Sequence, residues 1–438
     1  MCGICGEMIF NNGVAGNAIA AMTRQMDPRG PDAGGTFSQN GVAFGHRRLS
    51  IIDLDATSQQ PMIDPELGLA IVFNGCIYNY RELRGELSAK GYRFFSQGDT
   101  EVILKAYAEW GPRCVDRFCG MFAFAVWERN SGRVVLARDR LGIKPLYYAE
   151  KPGRFRFAST LPALLSAGDV DTGIDPAALH HYMSWHAVVP APMTILRGVR
   201  KLPPATICII EADGRRREEV YWQFEVGIRP QDRGLSEADW REAIRQTLGA
   251  AVKRRRVADV PVGVLLSGGL DSSLLVALLA AQGQDDLKTF SVGFESVGDV
   301  KGDEFRYSDL IAKAFGTDHH RIEVDSSRMI DALPGMVAAM SEPMMSHDAI
   351  GFYMLSREVS KYVKVAQTGQ GADEIFGGAF LDFVRTVLEA PRARQRGLFN
   401  RAYVDRLLAN SEGELTPKGH SKLWQVALLE SWLQMQGI

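Results

Sequence analysis

Short runs in which apolar residues alternate with small or polar ones dominate the chain from about residue 41: "GVAFGHRRLSII", "LGLAIVFNG", "GMFAFAVWE", "RVVLARD" and "RFRFAST". Gly, Asn-Ser-Gly or Pro-Gly turns separate them, which is the pattern of strands joined by hairpins. Two windows break the rhythm, "YRELRGELSAKG" and "TEVILKAYAEWG", where apolar positions recur three and four apart and share one helix face. Paired strands with inserted helices predict an α+β layered domain over 2–205, closing near "RGVRKLPPATICIIE". The charged, turn-rich stretch that follows, 206–235, reads as a linker plus one edge strand.

Beyond Trp240 the period changes. The order becomes helix ("REAIRQTLGAAVKRR"), strand ("VPVGVLLS"), helix ("SSLLVALLAAQG"), strand ("KTFSVGF"), helix ("EFRYSDLIAKAFG"), strand ("HHRIEV"), helix and "VKVAQTG". Apolar strands alternating with helices predict a parallel sheet covered on both faces, so 236–438 should be a second, α/β domain. No internal repeat or low-complexity segment interrupts either half.

Composition narrows the partners. With 438 residues, 46% hydrophobic, 23% charged and a net charge of −2, the chain has the makeup of a two-domain globular protein acting on small molecules. It offers no basic surface for nucleic acid and no apolar run of ~18 residues for a membrane, and without a leader pattern the expectation is cytoplasmic. A homodimer is compatible with all of this. Six cysteines (Cys2, Cys5, Cys76, Cys114, Cys119, Cys208) are too sparse for a disulfide framework.

Cys2 and Cys5 have the C-x-x-C spacing of a metal or redox site, but the sequence suggests no strand upstream and no His pair at finger distance, which argues against both. Another reading fits "MCGICGE" better. Loss of Met1 would leave Cys2 with a free α-amine, whose pKa of about 7.7–8.0 lets it take a proton from a thiol of about 8.5. Cys2 would then be a self-contained nucleophile.

In the second half, "LLSGGLDSSLL" (Leu265 to Leu275) follows an apolar strand and opens a helix. Its glycines let a ligand approach the backbone, and its serine hydroxyls and first-turn amides point donors at one spot, where the helix dipole adds positive potential. That arrangement suits phosphate. No Lys follows the glycines, so this is not a Walker A loop; a Gly-rich turn with a capped helix is what a lone Ser-Gly-Gly would mean.

The loop resembles that of the ATP-pyrophosphatase group. With "TFSVGF", "GTDHH", "SEPM" and "GQGADEIFGG" (369 to 378), the second domain resembles the asparagine synthetases. The resemblance implies ATP and Mg²⁺: Ser267, Gly268, Gly269, Asp271, Ser272 and Ser273 on the phosphates, Leu266, Val292, Thr368 and Gly369 around the rest of the nucleotide, Asp271 and Asp373 on the metal. Such enzymes adenylate a carboxylate, which ammonia then attacks.

The ammonia source gives the opening stretch its meaning. Through "RGPD", "GHRRLSIIDL", "QQPM", "FNGCIYNY", "GDTEVIL", "GMFAFAVW" and "RDRLGIKPLYY" the first domain resembles a class II glutamine amidotransferase, an N-terminal-nucleophile hydrolase with an αββα sandwich fold. By that resemblance Cys2 attacks the glutamine side-chain amide, Asn74 and Gly75 bind the oxyanion, Arg48 pairs with the α-carboxylate and Asp99 with the α-ammonium. A surface ion pair is the alternative for Arg48 and Asp99, and a buried structural thiol for Cys2.

Three departures qualify the resemblance. Cys76 stands where asparagine synthetases commonly carry a glutamate that helps hold glutamine, and Gln370 where they carry a catalytic glutamate tied to adenylate formation. "NGCIYNY", "HAVVPAP", "GQGADE" and the ending "KLWQVALLESWLQMQGI" are more similar to the N-acetylglutaminylglutamine amidotransferases. Finally, the family's helical region after "GADEIFGGAF" is missing between Phe380 and Leu381. The expected acceptor is therefore N-acetylglutaminylglutamine, with aspartate the alternative, and a nucleotide-binding regulatory module with glutaminase activity alone the reading from another class.

Overall fold

The computed structural model describes residues 1–10, 16, 18–185, 187–225, 227–284, 286–294, 305–324, 328–344, 347–370, 402 and 405–406. The chain divides into two compact units, one of residues 1–269 with 273–367 and the other of 270–272 with 368–438. The expected break between Phe380 and Leu381 lies outside the described residues.

The strands of the first half of the larger unit are β1 (Gly3–Ile9), β2 (Ala33–Gln39), β3 (Val42–Arg48), β4 (Met62–Asp64), β5 (Leu69–Ile77), β6 (Gly120–Glu128), β7 (Val134–Arg138), β8 (Tyr147–Lys151), β9 (Arg154–Ala158), β10 (Arg200–Lys201), β11 (Thr206–Ile210) and β12 (Arg216–Val220). They form two six-stranded sheets, ordered β10-β8-β9-β1-β3-β2 and β12-β11-β7-β6-β5-β4, with every neighbour antiparallel. Helix α1 (Ile19–Gln25) covers the first sheet, α2 (Tyr80–Ala89) and α3 (Asp99–Trp110) the second, and α4 (Leu161–Ser166) the first again. Helix, sheet, sheet, helix is the αββα sandwich of the N-terminal-nucleophile hydrolases.

Side-chain alternation explains why the strands read as nearly continuous apolar runs. On β5, Leu69, Ile71 and Phe73 pack under α2 and α3, whereas Ala70 and Val72 join Ile4, Met8, Phe44 and Phe157 between the sheets. Both faces of the strand are buried, so neither tolerates polarity without a purpose. The same parity places Asn74 and Cys76 on the inter-sheet side.

Two features were not legible in the sequence pattern. "GICGEMI" is itself strand β1, and its burial on both faces erases the alternation that would have marked it. The supposed linker contributes β11, an interior strand between β7 and β12, as well as the edge strand β12; "TICII" is too short and too uniformly apolar to declare its period.

Helix α5 (Pro176–Ser184) precedes β10, and α6 (Glu237–Arg254), started by a reciprocal Ser236–Asp239 capping box, opens the second half. There β13 (Val262–Leu265), β14 (Lys288–Phe294), β15 (Asp318–Val324) and β16 (Val365–Gln367) make a parallel sheet ordered β15-β14-β13-β16. Its other helices are α7 (Leu270–Ala281), α8 (Phe305–Phe315), α9 (Arg328–Ala339) and α10 (His347–Val359). One core gathers Val252, Val264, Leu266, Val276, Leu279 and Ala312; another gathers Phe290, Ile322, Val324, Leu355 and Val359. Both faces are covered, as the alternation predicts. The strand order reverses between β13 and β16, the position at which open α/β sheets bind ligands.

Within the larger unit, Glu342 in the "SEPM" segment is gripped from the sandwich. Tyr147 Oη on β8 donates to its Oε1 at 3.0 Å, and Lys201 Nζ on β10 to both oxygens at 2.8 and 3.1 Å.

Candidate functional site

Cys2 precedes β1, and alternation puts it on the same side as Ile4, facing the second sheet. Cys5, three residues on, points the other way into the helix-side core, 3.5 Å from Thr23 Oγ1. The two thiols of the C-x-x-C therefore occupy opposite faces. Among the described residues no group of His, Cys, Asp or Glu side chains is arranged to hold a metal.

The Cys2 thiol lies against the start of the loop after β3: it accepts from Leu49 N–H at 3.4 Å, with Leu49 O 3.7 Å away. Burial pushes its pKa up; the Leu49 amide, the α-ammonium and Lys144 pull it down, and Asp99 raises it. Met1 is held by its ammonium, which donates to Arg29 O at 3.0 Å, and Arg29 Nε donates to Cys2 O at 3.3 Å. Burial lowers the pKa of that terminal ammonium to about 6.

Across the sheets, Asn74 is 1% exposed on β5, and its side-chain Nδ2 is buried without a hydrogen-bond partner. Leaving such a donor unpaired costs on the order of 1–3 kcal/mol, and the position makes sense if a ligand oxygen completes it. Gly75 follows at the only size that fits, since a Cβ there would stand 2.2 Å from Met121 O. Cys76 is 6% exposed, and burial followed by the charge of Asp99 pushes its thiol well above the ordinary range.

Asp99 opens α3 behind Gly98 and accepts from Ile77 N–H at 2.9 Å. Full burial pushes its carboxyl up to about 6, with backbone amides and Arg48 opposing the shift. Arg48 is 6% exposed; it donates to Asp55 O at 2.9 Å and Ile52 O at 3.4 Å, and also to Asp53 O. No carboxylate among the described residues forms an ion pair with it. The surface-pair alternative is thus excluded for Arg48 and for Asp99: both are buried charges with capacity left for an opposite one.

Sequence reasoning passed over Lys144. Its ammonium is buried, 5% exposed, and it shares an electrostatic neighbourhood with both Cys2 and Cys76. The signal was a lysine just before a proline in "GIKPLYY", where an exposed residue would be the default.

On the nucleotide side, β13 delivers Leu266, fully buried, whose N–H donates to Phe290 O at 2.8 Å. Gly268 has φ +84° and a Cβ there would meet Ser308 N at 2.6 Å, so glycine is required. Ser267 Oγ accepts from Gly269 N–H at 3.3 Å, Ser273 Oγ is buried without a partner, and Val292 packs partly buried on β14. In the smaller unit, a Cβ on Gly369 would stand 2.9 Å from Asp271 Cβ, so this glycine backbone lies against Asp271 and Ser272, which belong to the first turn of α7. Thr368 Oγ1 accepts from Gln370 N–H at 3.3 Å. Asp373 lies outside the described residues.

Comparison with known proteins agrees with both halves. The chain matches the family model described as a glutamine amidotransferase domain over residues 1–222 and that described as asparagine synthase over residues 243–383. A Methanocaldococcus jannaschii protein assigned by name to asparagine synthetase is 34% identical over 419 residues, 88% of this chain and 78% of that protein. The chain belongs to the glutamine-hydrolysing asparagine synthetase family. Glutamine-hydrolysing asparagine synthetase 1 of Bacillus subtilis is 38% identical over 388 residues, covering 86% of this chain but 59% of that protein. The chain thus spans about three fifths of the length of the first relatives it matches. Among solved structures, glutamine phosphoribosylpyrophosphate amidotransferase from B. subtilis shares 14% identity at a TM-score of 0.41, over 73% of this chain and 90% of that one.

Proposed function

We propose that this family member hydrolyses glutamine at a nucleophile freed by removal of Met1 and uses the ammonia to amidate a carboxylate activated by ATP. The observation that carries the first half is the buried, unpartnered Nδ2 of Asn74 beside Gly75. Cys2 Sγ attacks the glutamine Cδ while its α-amine takes the thiol proton. Asn74 Nδ2 and Gly75 N–H donate to the developing oxyanion, an interaction whose loss commonly costs ~2.7 to 4 kcal/mol. Collapse forms the thioester and expels ammonia, which receives the proton from the α-amine; water then releases glutamate. Arg48 and Asp99 hold the substrate's α-carboxylate and α-ammonium. Burial lowers the Met1 ammonium to about 6, and burial of an amine at Cys2 would likewise favour its neutral form.

The strand-to-helix loop fits a nucleotide. Gly268 and Gly369 leave no room for side chains where backbone must come close, and the orphaned Ser273 hydroxyl is free to donate to a phosphate. Ser267, Gly268, Gly269, Asp271, Ser272 and Ser273 would hold the pyrophosphate end of ATP, with Leu266, Val292, Thr368 and Gly369 around the remainder. Asp271 and Asp373 would hold Mg²⁺, which when bound neutralises phosphate charge. The acceptor carboxylate displaces pyrophosphate, and ammonia then displaces AMP to give the amide.

A blocked dipeptide such as N-acetylglutaminylglutamine fits the acceptor role better than free aspartate. Aspartate brings an α-ammonium and a second carboxylate that need charged partners, whereas a blocked dipeptide offers amides and one carboxylate. Gln370 in place of a glutamate suits the less charged ligand. Purified protein with ATP, Mg²⁺ and ammonia, given each acceptor in turn and assayed for AMP, tests the assignment. AMP with the dipeptide alone is expected; AMP with aspartate alone reverses the assignment, and none with either favours a nucleotide-binding module attached to a working glutaminase.

A further inference from the structure

A buried ammonium normally has two or three strong acceptors, and Lys144 does not. At 5% exposure, its Nζ has one hydrogen bond among the described residues, to the Met1 thioether sulfur at 3.2 Å. Thioether sulfur is a weak acceptor. It also belongs to the residue whose removal the proposed mechanism requires, so in the processed enzyme even this contact disappears.

The position of the lysine is nevertheless fixed with care. Asp139, 1% exposed, accepts from the backbone N–H of Lys144 at 2.9 Å and of Ile143 at 2.9 Å, and Arg138 Nε donates to Lys144 O at 2.8 Å. Arg138 also donates to Gly142 O at 2.7 Å, so one buried carboxylate and one buried guanidinium clamp the turn on both sides. A side chain aimed so firmly at the chain's first residue has a task there.

We propose that Lys144 is a positioning residue of the glutaminase centre, its ammonium facing the Cys2 thiol and α-amine once Met1 has gone. A neighbouring cation acts on both groups in the productive direction. It stabilises the thiolate over the thiol, and it destabilises the α-ammonium over the neutral amine that serves as base.

Lys144 faces Cys2, Arg29, Asp139 on its own turn and Cys76 on β5; Cys2 also feels Arg29 and, at the start of α3, Asp99, and the terminal amine feels Arg29 and Asp32. Asp99 opposes thiolate formation, so Lys144 offsets it. The lysine also interacts electrostatically with the Cys76 thiol on β5.

This inference rests on the reading of Cys2 as an N-terminal nucleophile, and one set of measurements separates the two. Intact mass of wild-type protein comes first: Met1 retained in active enzyme overturns both. With Met1 absent, the rate of iodoacetamide alkylation of Cys2 is followed against pH in wild type, Lys144→Met and Lys144→Arg, alongside glutaminase kcat/KM and thermal unfolding. The methionine variant should move the alkylation midpoint up by about one pH unit and lower kcat/KM at neutral pH about tenfold. Lys144→Arg should restore most of both. An unmoved midpoint in a folded Lys144→Met protein, with or without lost activity, overturns the positioning role.

Discussion

The two halves place the polar groups of their proposed sites in opposite ways. In the sandwich, Asn74, Gly75 and Cys76 are consecutive residues of one doubly buried strand, and Arg48 and Asp99 are charges held inside the protein. In the parallel sheet, the groups sit where strand turns to helix: Ser267, Gly269 and Leu270 are exposed, the last 78% so. The first arrangement is preorganised and costly, with desolvated groups waiting for partners; the second relies on backbone amides and glycines that cost little when empty. Buried sites should respond steeply to single changes, and each half should be separately breakable.

The sharpest break is Cys2→Ala, which should lower glutamine hydrolysis by ~10⁴-fold or more while ammonia-dependent AMP formation persists. Loss of both in folded protein would refute the division of labour. The mirror experiment is Asp271→Asn, expected to cut pyrophosphate release by about 10³-fold and leave the glutaminase rate unchanged; an unaltered pyrophosphate assay would remove Asp271 from the metal site. Next comes Asn74→Ala, which should reduce glutaminase kcat by ~10²–10³ with little change in KM, since the oxyanion exists only on the reaction path. A pure KM effect would make Asn74 a ground-state contact.

Two smaller effects sharpen the picture of buried charge. Cys76→Glu should lower the glutamine KM about tenfold by supplying a second carboxylate for the ammonium. An unchanged KM would mean that Asp99 suffices. Asp99 itself is linked to pH: with its folded pKa raised from 3.8 to about 6, its contribution to stability is intact below about pH 4 and lost as pH rises through 6. Asp99→Asn should therefore raise Tm at pH 7 and leave it nearly unchanged at pH 4. The same carboxyl must ionise to bind an ammonium, so wild-type KM should climb below pH 6. A Tm gain that ignores pH would assign the effect to packing.

Much of this arrangement is visible in the sequence because its carriers are periodic or punctuated. "LAIVFNG" announces a buried strand interrupted by polarity, and "SGGLDSS" a strand-to-helix turn. What escaped had no local signature. β1 is buried on both faces, so the strand that follows Cys2 showed no alternation. The burial of Arg48 and Asp99 depends on a loop returning over them from 52–55 and on the entry to α3, contacts between distant positions. Lys144 was hidden by the ordinary rule that lysines face water; only the clamp by Asp139 and Arg138 inverts it. Partition of polar groups between surface and interior is a tertiary property, and sequence spacing reports it poorly.

The grip of Tyr147 and Lys201 on Glu342 bears on how such a protein can be recombined. A chimera joining this sandwich to a relative's synthetase half inherits a tyrosine and a lysine in want of a carboxylate, and the reverse chimera a carboxylate in want of donors. Modules that are separate in sequence are thereby matched as lock and key, and shuffling them would need residue 342 and its two clasps to travel together.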